Sequence, residues 1–232
     1  SLAAYLELHI QQGASLAKAG IELGVVTGFV GIRSFHFAYQ GRADHAGTTP
    51  MDQRKDPVPA ACAFTLAARE AVMAEFSPAV LTVGNMQFAP GAFNVVPSQA
   101  KVWLEFRAED EPTLDRIEER VIGLAKEQAK AHEVELDYAP VEKALSVATA
   151  PQVRQAAIGA AEKLGLSYVQ MPSHAGHDAQ ALALICPAGL IFVPSQDGAS
   201  HSPREFTAWD DCVNGANVLL QTALHLAAGQ AG

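Results

Sequence analysis

Between Val25 and Tyr138 the segments follow one another as strand, helix, strand, strand, helix, strand, and that order limits the fold more than any other feature of the chain. Val25 to Tyr39 reads as a strand or hairpin rich in β-branched and aromatic residues. Pro57 to Glu75 has the Ala/Leu-rich composition of a buried helix, with Asp56 as N-cap and Pro57 in the first turn, where a missing N–H is harmless. Val80 to Phe88 and Lys101 to Arg107 read as strands joined through Pro90-Gly91 and Asn94-Val95-Val96-Pro97. Asp110-Glu111-Pro112 then caps an amphipathic helix, Leu114 to His132, whose apolar Leu114, Ile117, Val121 and Leu124 recur at three to four residues. Val134 to Tyr138 closes the unit as a strand. This is the order of a split βαβ, ferredoxin-like sandwich: four antiparallel strands with two helices on one face.

The flanks have a different rhythm. Ala4 to Ile10 alternates apolar and polar residues like a half-buried strand, and Gln11 to Gly20 reads as a short helix ending at a glycine. After the sandwich, Ala150 to Leu164 (helix), Tyr168 to Met171 (strand), His177 to Leu184 (helix), Leu190 to Val193 (strand) and Trp209 to Ala228 (helix) alternate as α/β layers do. The expected fold class is α/β with an α+β insertion: residues 1–24 and 143–232 form an α/β domain, and residues 25–142 interrupt it. At 232 residues, 49% hydrophobic and 18% charged, the chain can bury a sizeable core.

A formal net charge of -9, with no basic run longer than Arg54-Lys55, argues against nucleic acid or an anionic membrane as partner and leaves small polar ligands open. Cys62, Cys186 and Cys212 are odd in number and far apart, so neither a disulfide framework nor a cysteine zinc site is expected. No leader pattern is read at the start, and no apolar run approaches the ~20 residues of a membrane span. A cytoplasmic protein is the expectation.

Histidine-bearing polar segments break the apolar background at strand ends and loops, where α/β folds place ligands. They are Leu8 to Gly13, Asp44 to Met51, Ser173 to Ala179 and Gly198 to Glu205. Histidine is both the commonest metal ligand and the commonest general acid or base near neutrality. Taken singly, each has a plain alternative. His9 by itself reads more readily as an ordinary strand residue than as a ligand, His45 equally as part of a hydroxyl-bonded turn, and His201 as a decoration of a cap.

Taken together and in order, the segments resemble the N-carbamoyl-L-amino acid amidohydrolase and allantoate amidohydrolase branch of the zinc aminopeptidase and aminoacylase superfamily. The resemblance covers essentially the whole chain. It rests on His9 to Gly13, the His45-Ala-Gly-Thr-Thr-Pro-Met51 turn, the Asn94 to Pro97 turn, Gly176 to Ala179 and Ser200 to Pro203. It implies a zinc-aminopeptidase-like catalytic domain interrupted by a lid and dimerisation domain. Its activity would be metal-dependent hydrolysis of carbamoyl or ureido C–N bonds, with Zn, or Mn, Co or Ni, in a two-metal site that activates water. The alternatives within the superfamily are N-acyl amino acid deacylase and peptidase.

Carried over residue by residue, the resemblance makes His9 and His201 metal ligands. His45 becomes a hydrogen-bond donor to the developing oxyanion. Asn94 and Arg107 become a clamp on the substrate carboxylate, with an exposed strand-end charge as the plain alternative for Arg107. Gln12, Arg33 and His177 become further substrate-side groups, His177 and Asp178 with helix capping as the alternative. Asp52 and Arg54 are expected to pair with each other. The implied partners are a small-molecule carboxylate and a second copy of the chain, docked through the Val80 to Phe88 region.

Two departures qualify the match. Gln11 stands where the family has Glu, which removes a negative charge beside the presumed cation site. The family's other ligands and its general base come from a His-x-Asp segment and a Glu-Glu pair that this sequence does not contain. His9 and His201 alone fall short of the roughly four ligands zinc takes. A shortened form of such an enzyme, with weak or absent zinc and inactive by itself, is therefore expected, and the alternative is a non-catalytic binding or dimerisation module that has lost the metals.

Overall fold

The computed structural model describes residues 2–229, and the chain divides into two units after Val30 and after Ser146. The first unit holds β1 (Tyr5–Ile10), α1 (Ser15–Ala19) and β2 (Leu23–Phe29). The second holds β3 (Gly31–Gln40), β4 (Asp44–His45), α2 (Pro57–Glu75), β5 (Val80–Ala89), β6 (Val95–Val96), β7 (Gln99–Ala108), α3 (Glu111–Ala131) and β8 (Glu135–Ala144). The first unit then resumes with β9 (Val147–Ala148), α4 (Pro151–Lys163), β10 (Tyr168–Ser173), α5 (Asp178–Leu182), β11 (Ala188–Val193) and α6 (Trp209–Ala228).

In the second unit the main sheet runs β5-β7-β3-β8, every neighbouring pair antiparallel. This is the sheet order of the split βαβ sandwich. Strict alternation on β7 buries Ala100, Val102, Leu104, Phe106 and Ala108 in one core with Phe64 of α2 and Leu114, Ile117 and Val121 of α3. Both helices start where the sequence caps them. Asp56 accepts the Val58 amide at 3.0 Å and Asp110 accepts the Thr113 amide at 2.8 Å.

The first unit is a mixed sheet in the order β1-β11-β2-β10, with β9 paired to β2. β1 is parallel to β11, and β2 is parallel to β10 and antiparallel to β11. All six residues of β11 are buried, as an interior strand covered on both faces requires. One face packs on α4 and α6 through Val25, Ala157, Ile191 and Val218; Leu16, Val26, Ala179 and Phe192 fill the other, toward α1 and α5.

Val25 to Tyr39 is not one strand or hairpin but two strands in different units. β2 is a strand of the mixed sheet, and the Val30 amide still bonds to the Ser173 carbonyl at 2.9 Å. At Gly31 the chain passes so close to Leu114 Cδ1 and the Ser146 amide that a Cβ would lie 2.5 and 2.9 Å from them. The apolar run is continuous across this point, so local periodicity carries no mark of the change of sheet.

Candidate active site

β1 and β11 run side by side and end together, and the loops leaving them carry most of the first unit's chemistry, as the carboxyl ends of parallel strands do in α/β folds. His9 is the penultimate residue of β1. Its Nδ1 lies 2.8 Å from the Ile10 carbonyl, which can only accept. In the neutral ring the proton is therefore on Nδ1, and Nε2 keeps its lone pair in the manner of a metal-ligating histidine oriented by a backbone carbonyl.

Glu7, two residues earlier, shares the His9 side of the strand. Its Oε2 accepts the Ala179 amide at 2.7 Å, and its Oε1 stands 3.7 Å from His177 Nδ1. The His177 ring meets His9 edge-on with centroids 4.7 Å apart and reaches Ser173 Oγ at 2.9 Å. Burial first, and then His9, push the His177 imidazole down to about 4, against an opposing pull from Asp178. At neutral pH the His177 ring that faces Glu7 is therefore neutral. Ligand-type atoms of Glu7, His9 and His177 all lie within 4.8 Å of one another. Two imidazoles and a carboxylate are donors that suit a zinc-class dication, so the residues present fit a metal ion.

The other expected residues of this unit lie in the neighbouring loops. Gln12 adopts a left-handed backbone (φ 59°), and its amide donates to the buried Ser195 hydroxyl at 3.0 Å, tying the end of β1 to the loop after β11. Its side-chain Nε2 is 3.3 Å from His201 Nε2. The amide N–H donates there, so His201 accepts through Nε2. The His201 backbone N–H donates to Glu205 Oε2 at 2.9 Å. That bond first, then the Ser200 hydroxyl, and more weakly the His201 and His9 rings, hold the Glu205 carboxyl below its usual range. Gly198 lets the loop close on the first helix, since a Cβ there would meet the Ala14 nitrogen at 2.8 Å. Gln11 points into the start of α1, where its Oε1 accepts the Leu16 amide at 3.0 Å and its Nε2 bonds the Ser15 hydroxyl.

The second unit joins two turns that are far apart in sequence. β4 pairs with β6, setting His45 opposite Val95, and the Ala46 amide donates to the Asn94 carbonyl at 3.0 Å. His45 Nδ1 accepts the Gly47 and Thr48 amides at 3.0 and 3.2 Å. The neutral ring therefore carries its proton on Nε2, which suits a donor. Arg107, near the end of β7, faces away from the helices, and its Nε and Nη2 both donate to Glu105 Oε1 at 2.8 and 2.7 Å.

Arg33 is placed differently from the substrate contact expected of it. Its guanidinium is 4% exposed and bonds Glu118 and Asp115 at 2.6 Å each and Glu111 at 3.0 Å, all on α3. Alternation along β3 explains this, because Arg33 shares the helix-facing side with Phe35, Phe37 and Tyr39. Arg54 likewise bonds backbone carbonyls rather than pairing with Asp52 as expected. Glu7 and Glu205 were not singled out from the sequence. Glu7 has one sequence signal, its place two residues before His9 on a strand; Glu205 closes the Gly198 to Glu205 segment.

The model of the peptidase family M20/M25/M40 matches residues 1–225. The chain belongs to that family. It is 39% identical over 227 residues to an N-carbamoyl-L-amino acid amidohydrolase of Geobacillus stearothermophilus, covering 98% of this chain and 55% of the relative. To a ureidoglycolate hydrolase of Oryza sativa subsp. japonica it is 37% identical over 218 residues, covering 93% of the chain and 45% of the relative. Among solved structures, an amidase of the hydantoinase/carbamoylase family from Burkholderia multivorans superposes with a TM-score of 0.88 at 32% identity, covering 96% of this chain and 54% of that one. The resemblance seen in the histidine segments thus stands, and so does the mixed α/β fold class. The chain spans about half the length of the curated relatives it matches. Among the described residues no helix is long and apolar enough to cross a membrane.

Proposed function

We propose that this chain forms part of the active site of a metal-dependent amidohydrolase that cleaves the carbamoyl or ureido C–N bond of a small carboxylate substrate. The observation that carries the reading is the His9 ring, its Nδ1 held by the Ile10 carbonyl at a strand end, with ligand-type atoms of Glu7, His9 and His177 all within 4.8 Å of one another. The amidohydrolase and ureide-hydrolase relatives supply the reaction class.

His9 and His201 would each hold one ion of a two-metal site, with Glu7 and His177 beside His9. When bound, such an ion polarises the scissile carbonyl and makes water a stronger nucleophile at neutral pH. The chain's own groups do the rest. Arg107 grips the substrate carboxylate with its guanidinium fork, oriented by Glu105, and Asn94 and Gln12 add polar contacts that fix the scissile amide. His45 donates its Nε2 proton in a hydrogen bond to the carbonyl oxygen as negative charge builds there. For a carbamoyl substrate, water adds to the carbonyl carbon, the C–N bond to the amino acid breaks, and the carbamate left behind decomposes to ammonia and carbon dioxide.

One contact favours a second reading, a carboxylate-binding module without metal: the Gln12 amide already occupies His201 Nε2. The family's lids also support a homodimer formed through β5, an edge strand of its sheet. Elemental analysis of the purified chain, together with ammonia release from N-carbamoyl amino acids and allantoate with added Zn²⁺, Mn²⁺ or Co²⁺, decides between the two. Bound metal, and turnover abolished in His201→Ala, supports the enzyme. Neither metal nor turnover, with carboxylate binding retained, supports the module. Size exclusion at micromolar concentration tests the dimer.

A further inference from the structure

Arg54 follows the His45 turn and makes two bonds back into it. Its Nη2 donates to the Ala46 carbonyl at 2.6 Å and its Nε to the Thr49 carbonyl at 3.1 Å. Those carbonyls bracket Gly47 and Thr48, the two residues whose amides donate to His45 Nδ1. The Ala46 peptide is held on both sides, since its amide donates to the Asn94 carbonyl while its carbonyl accepts from Arg54. The turn and the ring touch: a Cβ on Gly47 would lie 3.4 Å from His45 Cε1. A small relaxation of the turn therefore moves both amides off the ring. A guanidinium is suited to this clamp because its planar fork reaches two carbonyls at once in a fixed geometry, which an ammonium does not.

We infer that Arg54 is a positioning residue that holds the 46–49 turn so that His45 keeps its proton on Nε2 and presents it as a donor. This deepens the proposed function, resting on the reading in which His45 donates to the substrate carbonyl. The tautomer itself is measurable without turnover.

The experiment is a long-range ¹H–¹⁵N correlation spectrum of the chain labelled with ¹⁵N-histidine, at a pH where the imidazoles are neutral. His45 is assigned by its loss in His45→Gln. In the unsubstituted chain Nδ1 is expected at the shift of a bare nitrogen and Nε2 at that of a protonated one. In Arg54→Ala the two shifts move toward each other as the tautomers exchange, and Arg54→Lys falls between. His36, on β3 of the same unit, reports whether the fold survives; where Arg54→Ala disturbs it, Arg54→Lys decides. An unchanged His45 tautomer in the folded variant overturns the inference, as does a mixture already present in the unsubstituted chain. Ammonia release separates this from the catalytic reading, with Arg54→Ala expected to lower kcat by about tenfold or more and KM to change less. If His45→Gln leaves turnover intact while the tautomer responds to Arg54, the catalytic role falls and the positioning stands.

Discussion

The His9 and His177 rings meet edge to face, 4.7 Å between centroids, and burial drives the His177 imidazole down to about 4. Its folded value lies below the ordinary 6.5, so between about 6.5 and 4 the unfolded chain binds a proton that the folded chain does not. Stability therefore falls as pH drops through that window. In chelator-treated protein the loss from this group is roughly 3 kcal/mol. Urea unfolding at several pH values should show a shallower decline for His177→Gln than for the unsubstituted chain; equal slopes would show that His177 is not the source of the acid sensitivity.

Arg33 is enclosed by Glu111, Asp115 and Glu118, so replacing it leaves three carboxylates facing one another. Arg33→Met should cost on the order of 3 kcal/mol, less than a fully buried cluster would, because the acids are partly exposed. Chemical denaturation of both forms checks this. A KM that rises in Arg33→Lys, with stability unaffected, would restore the substrate role.

If Arg107 grips the substrate carboxylate, Arg107→Lys loses one of two parallel bonds. KM for an N-carbamoyl amino acid should rise by on the order of tenfold while kcat changes less. Steady-state kinetics with carboxylate and carboxamide versions of the substrate gives the control, since the carboxamide should lose less. Equal losses for both would rule out a carboxylate clamp.

Gln11 caps α1, so Gln11→Ala should cost about 1 kcal/mol and speed amide exchange at Leu16. Gln11→Glu keeps the accepting oxygen and should change stability by less. Because the side chain is turned into the helix, Gln11→Glu should shift Zn²⁺ affinity by less than about tenfold, as measured by competition with a chelator. A larger gain would mean that the carboxylate reaches the cation site.

Local chemistry was enough for the βαββαβ order, the capped starts at Asp56 and Asp110, and the turns carrying His45 and Asn94, because periodicity, caps and turns depend on neighbours a few residues away. It was not enough for the strand boundary at Val30, where the same apolar run serves two sheets. Nor could it say that Arg33 faces α3 while Arg107 faces the opposite side, since a strand's alternation is visible in sequence but which side meets the helices is set by packing. Glu7 shows the same limit. Its nearness to His9 is local, but its bond to the Ala179 amide and its place beside His177 exist only because α5 packs back against β1.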